Sequence, residues 1–223
     1  MTAFPDQAAD DYDERIVRRV PGYRLGPELA AAVLANRLKG NAHILVAGCG
    51  TGGELVELAR ALPAARFTAI DPSAGMLEQA ATKARDHGFA DRVKFLQAAV
   101  QDAPAETYNA AIAFLVLHFL RDDGAKANFL QTLANRLGDG APLVLVDPAD
   151  SSAFDDDYRQ WMVQQGLGAE AADNVVTRTK STWFCVTPER LSALLLQAGF
   201  EVSEPFFKAF GYRGIIASRS RKP

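Results

Sequence analysis

The chain has 223 residues, 48% of them hydrophobic and 23% charged, an ordinary globular composition that excludes a disordered or collagen-like chain. A fold of this size buries roughly 70% of its unfolded surface and stands without disulfides or metal, which favours one domain. Net charge is −3, so no global basic field is available and direct nucleic-acid binding is not expected.

Two cysteines and three histidines supply neither a disulfide framework nor zinc-ligand spacing, so no metal is expected. The longest apolar run, Ala110–Leu117, is far short of the ~20 residues of a membrane helix. Met1–Glu14 carries five acids and no base, the reverse of a signal peptide. The expectation is a cytoplasmic protein with no membrane partner; a homodimer stays open.

In chain order, His43–Ala47 reads as a buried strand, followed by a glycine-rich turn and a helix over Glu54–Leu62. Arg66–Ile70 is a second strand. Ser73–His87 is a helix with Met76, Leu77, Ala80, Ala81 and Ala84 on one face and Gly88 placed to end it. Val93–Gln97 and Ala110–Leu117 read as the third and fourth strands, Asp122–Leu137 as a helix and Pro142–Val146 as the fifth strand. Ser151–Ser181 fits neither period. Half of the chain's 20 aromatics fall between Phe154 and Tyr212, which suggests an insert roofing a pocket at the strand ends. Thr187-Pro188-Glu189 caps a helix that Gly199 ends. The runs Phe200–Phe207 and Gly211–Ser218 are too close for a helical crossover and predict an antiparallel hairpin.

Strands alternating with helices predict an α/β fold: a Rossmann-like, doubly wound, seven-stranded sheet with helices on both faces and the hairpin at one edge. The expected parts are N-terminal lid helices over 1–38, a cofactor-binding core over 40–147, an insert over 148–185, and a C-terminal helix with hairpin over 186–223.

Gly48-Cys49-Gly50-Thr51-Gly52-Gly53 joins the first strand to the first core helix. Such a loop approaches a ligand closely and offers helix N-terminal N–H groups to it. Asp71 ends the second strand, where a carboxylate can accept both hydroxyls of a ribose. The pair points to a nucleoside-containing cofactor. The glycines alone fit both the dinucleotide spacing (Gly48, Gly50, Gly53) and the S-adenosylmethionine spacing (Gly48, Gly50, Gly52). No Tyr-x-x-x-Lys pair exists, no room is left for a separate dehydrogenase substrate domain, and the C-terminal hairpin favours the second reading.

Ile44–Gly53 and Ala69-Ile70-Asp71-Pro72-Ser73 with Met76 resemble motifs I and II of class I S-adenosylmethionine-dependent methyltransferases. Phe114–Phe119 and Leu133–Gly140 resemble the family's later landmarks. Val20-Pro21-Gly22-Tyr23, and Ala198-Gly199-Phe200 with Phe206, Phe207 and Phe210, resemble the carboxy-S-adenosylmethionine synthase branch. Its members carboxylate the cofactor in the tRNA wobble-uridine modification pathway. The resemblance implies S-adenosylmethionine as cofactor, S-adenosylhomocysteine as product and a small-molecule acceptor. It implies a cofactor site at Ala47, Gly48, Gly50, Gly52, Asp71, Pro72, Met76, Val100 and Phe114, with Tyr12 from the lid. Val46 and Ala99 stand where the family usually carries acids, so adenine falls to main chain near Val100 and to Met76. The synthase branch's cofactor-gripping arginine has Arg178 as its gapped match.

Methyl transfer from a sulfonium needs chiefly alignment, with effective molarities of ~10⁵ M or more, and a base only for a protonated acceptor. His118 is the candidate base, Tyr23 the second candidate catalytic residue. Asp147 is either a pocket carboxylate or a turn cap. His43 and His87 read as solvated ends, and Arg213, Arg219, Arg221 and Lys222 as a solvated edge and tail. A non-catalytic S-adenosylmethionine-binding module and, last, an NAD(P) oxidoreductase are the alternatives from other classes.

Overall fold

The structure is a computed structural model that describes residues 11–150, 153–202 and 205–221. Two helices, α1 (Tyr12–Arg19) and α2 (Leu25–Ala35), precede the sheet. Then come β1 (His43–Ala47), α3 (Gly53–Ala61), β2 (Arg66–Asp71), α4 (Ala74–Asp86), β3 (Val93–Gln97), β4 (Ala110–Phe114), α5 (Ala125–Arg136) and β5 (Pro142–Pro148). The C-terminal part adds α6 (Asp155–Gln164), α7 (Ala169–Ser181), α8 (Pro188–Gln197), β6 (Phe200–Val202), β7 (Phe207–Ala209) and β8 (Tyr212–Arg219).

The strand order is β3-β2-β1-β4-β5-β8-β6, with β7 also paired to β8. β1 to β5 run parallel, and β8 runs antiparallel to β5 from Pro142 opposite Ser218 to Pro148 opposite Tyr212. The hairpin is therefore present, but its outer arm is two short strands rather than one. Pro205, which has no N–H to give a ladder, lies between them.

Successive residues of β1 serve opposite cores. Ile44 and Val46 pack with α2, α3, α6 and α7, whereas Leu45 and Ala47 pack with α5 and α8. This is the period-2 alternation of a parallel sheet covered on both faces. Within residues 153–181, helices α6 and α7 each bury only a short stripe: Tyr158 and Met162 from one, Ala172 and Val175 from the other. So narrow an apolar face explains why no period stood out.

The fourth strand is shorter than predicted. It ends at Phe114, Leu115 takes a left-handed φ of 58°, and Leu117–Phe119 is a 3-10 turn. The cause lies across the sheet. Asp147 on β5 accepts from the backbone N–H groups of Val116 (3.1 Å), Leu117 (2.6 Å) and His118 (3.2 Å), which bends the chain out of the ladder.

Candidate active site

The glycine loop adopts left-handed φ at Gly48 (76°), Gly50 (49°) and Gly52 (78°), whereas Gly53 enters α3 with an ordinary backbone. The three positions that demand glycine are thus those of the G-x-G-x-G spacing. A Cβ on Gly48 would also meet Val116 Cγ2 at 2.6 Å. The N–H groups of Gly48 and Cys49 donate to the Ile70 carbonyl at 2.8 and 3.0 Å, pinning the loop to β2.

Asp71 closes that loop. Its Oδ2 accepts from Gly50 N and its Oδ1 from Ser73 N, both at 2.9 Å. Burial pushes its carboxyl above the usual range, and these two N–H donors pull it back. Ser73 caps α4 by accepting from Met76 N at 3.3 Å, so Pro72 and Met76 flank the acid. Ala98 N donates to the Asp71 carbonyl at 3.2 Å, which brings the main chain leading into Val100 alongside.

Helix α1 covers the loop. Lys83 Nζ donates to Asp13 Oδ2 at 2.5 Å, and Thr51 Oγ1 donates to Asp13 Oδ1 at 2.7 Å. Tyr12 is half-buried beside Glu54, Asp13 and Asp71. Burial first, and then those charges, hold its phenol protonated well beyond the ordinary tyrosine range. Tyr23 is raised by burial, then by Tyr12, Glu54 and Asp13. Its ring meets Phe114 edge-on at 5.9 Å between centroids, and its hydroxyl lies 3.2 Å from where a Cβ on Gly53 would stand. Tyr12, Tyr23, Phe114, the glycine loop and Asp71 are therefore gathered in one place.

Glu54 was not singled out by the sequence. Its Oε1 is buried without a hydrogen-bond partner among the described residues, and burial raises its carboxyl to about 8, against the pull of its backbone hydrogen bond and Lys83. An orphaned acid at the foot of a glycine loop, beside the Tyr12 and Tyr23 phenols, fits a ligand that carries an ammonium group. The donor set fits S-adenosylmethionine: Asp71 for ribose hydroxyls, the glycine loop for close main-chain approach, Glu54 for an ammonium. The acid's position directly after the loop was a readable signal.

His118 lies beyond β4, in the 3-10 turn, and is 4% exposed. Its Nδ1 is 2.6 Å from Asp147 Oδ1. A carboxylate only accepts, so Nδ1 carries the hydrogen and Nε2 is left as the proton acceptor of the neutral ring. The ring packs on Trp183 at 4.8 Å. On the other side Arg178 stands 5.9 Å over the Trp183 ring. Arg178 and Arg15 both lower the pKa of Arg19, after burial, so α1 and α7 bring three guanidinium groups together. Tyr158 on α6 donates to the Arg19 carbonyl at 2.5 Å and meets Tyr212 at 3.0 Å, tying insert to lid.

Some expectations need correction. Asp147 caps the 116–118 turn from across the sheet and does not end β5 before Pro148, which is still in the strand. His43 is not simply solvated: its Nε2 is 2.9 Å from Thr68 Oγ1, because β1 and β2 place the two side by side. Arg219 is not free in solvent but donates to the Gly199 carbonyl at 2.7 Å. Arg213 lines a cavity. Lys222 lies outside the described residues.

Sheet order, glycine loop and the acid ending β2 give the chain the fold of class I S-adenosylmethionine-dependent methyltransferases. Residues 44–140 match the family described as a methyltransferase domain.

Among particular proteins, the chain is similar to carboxy-S-adenosyl-L-methionine synthases. It is 26% identical to that of Campylobacter hominis, over 97% of this chain and 94% of the relative. It is 27% identical to that of Wolinella succinogenes, over 97% and 92%. By fold it is similar to the Synechocystis magnesium protoporphyrin IX methyltransferase solved with S-adenosylhomocysteine (TM-score 0.70, 16% identity, 91% of this chain and 86% of that one). It is also similar to an O-methyltransferase family protein from Burkholderia thailandensis (TM-score 0.73, 15% identity, 97% and 60%). The chain spans about 60% of the length of several O-methyltransferase structures it matches. No helix among the described residues is long and apolar enough to cross a membrane.

Proposed function

We propose that this protein is an S-adenosylmethionine-dependent methyltransferase acting on a small-molecule acceptor, with His118 as general base. When bound, the cofactor supplies a sulfonium-activated methyl group. Asp71 would hold the ribose hydroxyls and the Gly48–Gly52 backbone would hold the cofactor, with Tyr12 and Tyr23 shielding it from water. Asp147 holds the His118 ring in the tautomer whose Nε2 can take a proton from the acceptor. The observation that carries the reading is the glycine loop, left-handed at Gly48, Gly50 and Gly52 and closed by Asp71; the buried Asp147–His118 pair in the turn after β4 supplies the candidate base.

A second reading is a carboxy-S-adenosylmethionine synthase-like enzyme. Relatives so named match over nearly the whole chain, and Arg178 and Arg19 together would suit a carboxylate-bearing ligand. Mass spectrometry of the small molecules released from denatured protein separates the two. S-adenosylmethionine or its homocysteine product, with methyl turnover on screened acceptors, supports the first. A carboxylated cofactor that disappears in Arg178→Ala supports the second. A nicotinamide dinucleotide would overturn both.

A further inference from the structure

A cavity of about 720 Å³ opens on the sheet face covered by α5 and α8, and the candidate base His118 and its partner Asp147 line it. Its size is within the range of small-molecule pockets, and no glycine-loop residue lines it. Phe184, Val186, Leu191, Val202 and Ile215 give it an apolar wall. The titratable groups among its described lining residues are His118, Asp147, Cys185, Lys126 and Arg213.

Those polar groups do not balance. Asp147 is saturated, accepting three backbone N–H groups and the His118 ring. Cys185 is a neutral thiol, raised by burial to about 12. Lys126 is 1% exposed, and its Nζ donates to one acceptor, the Leu117 carbonyl at 2.6 Å. An ammonium has three hydrogens to place, and Lys126 forms no ion pair among the described residues. Burial pulls its pKa down, while Asp147 pulls it back up. Arg213 faces Asp147 across the β5–β8 ladder, yet its guanidinium makes no hydrogen bond or ion pair among the described residues. Its charge helps to lower the pKa of Glu189, exposed at the start of α8. Two incompletely partnered cations thus face an apolar chamber whose one carboxylate is already spent. Leaving a buried charge without a counter-charge is costly, and an acidic ligand removes that cost.

We propose that this cavity is a binding site for a small acidic molecule with an apolar body, its carboxylate held by Lys126 and Arg213 and its hydrocarbon or aromatic part against Leu191, Val202 and Ile215. Because His118 lines this cavity, the inference rests on the proposed function in naming the class of acceptor, while its test reads binding and not turnover. It is tested by titrating the cofactor-free protein calorimetrically with phenylbutyrate and with its neutral amide. The acid is expected to bind at least about tenfold more tightly, since a hydrogen bond to a charged group contributes ~1.5–3 kcal/mol. Lys126→Met and Arg213→Met should each erase most of that preference. Leu196→Asp changes a residue that is 62% exposed at the cavity rim, so folding is not at issue, and it should weaken the acid more than the amide. Equal affinity for acid and amide, a preference that survives both cation substitutions, or no binding of either probe at millimolar concentration would overturn the proposal.

Discussion

Asp147 holds His118 twice, at the backbone N–H at 3.2 Å and at ring Nδ1 at 2.6 Å, while also capping Val116 and Leu117. One carboxylate therefore sets both the path of the chain leaving β4 and the tautomer of the candidate base. Asp147→Ala would strand three backbone donors, each costing ~1–3 kcal/mol when buried without an acceptor. Chemical denaturation should show a large fall in the midpoint. An unchanged midpoint would mean the turn is held by something else.

His118→Ala removes the candidate base together with its ring contact to Trp183. With His118 as general base, kcat on a protonated acceptor falls by about 10²–10⁴-fold, and cofactor affinity stays the same. A parallel loss of cofactor affinity would instead make His118 a packing residue.

Gly48 and Gly53 separate the two glycine spacings. Gly48→Ala imposes a Cβ on a left-handed residue, at ~1–2 kcal/mol, and drives it into Val116. Gly53→Ala sits in ordinary helical backbone, where alanine is favoured by ~1 kcal/mol, and need only shift the Tyr23 hydroxyl. Thermal melts should show Gly48→Ala clearly destabilised and Gly53→Ala close to the parent. The reverse order would contradict the spacing.

Glu54 gives the ligand-free protein a pH dependence opposite to that of a salt-bridged acid. Its folded carboxyl titrates at about 8, above the 4.5 of an exposed glutamate. The folded state holds the proton longer, so stability falls as pH rises from the unfolded value through the folded one. Between about pH 4.5 and 8 the parent protein should lose stability that Glu54→Gln retains. If the two proteins show the same slope, Glu54 is not the source.

Much of this was legible in the sequence. The alternation of apolar runs and amphipathic segments marked five parallel strands, because both faces of the sheet are covered. The loop from Gly48 to Gly53 and the acid at Asp71 stood out because their spacing is local. What escaped depends on contacts distant in sequence. The early end of β4 is imposed by Asp147, which a local pattern cannot reveal. Pro205 was visible, but the hairpin arm it divides read as one apolar run. The insert helices bury too few residues to show a period. Arg213 looked like part of a basic tail until β8 placed it on the cavity side of the sheet.

We propose that the glycine loop and Asp71 hold S-adenosylmethionine. Calorimetric titration of the purified protein with S-adenosylhomocysteine, for the parent and for Asp71→Ala, tests it most directly. A one-to-one complex is expected with the parent and at least about tenfold weaker binding without the carboxylate, as the loss of charged hydrogen bonds worth ~1.5–3 kcal/mol each requires. Absence of binding by the parent, or binding indifferent to Asp71, would contradict it.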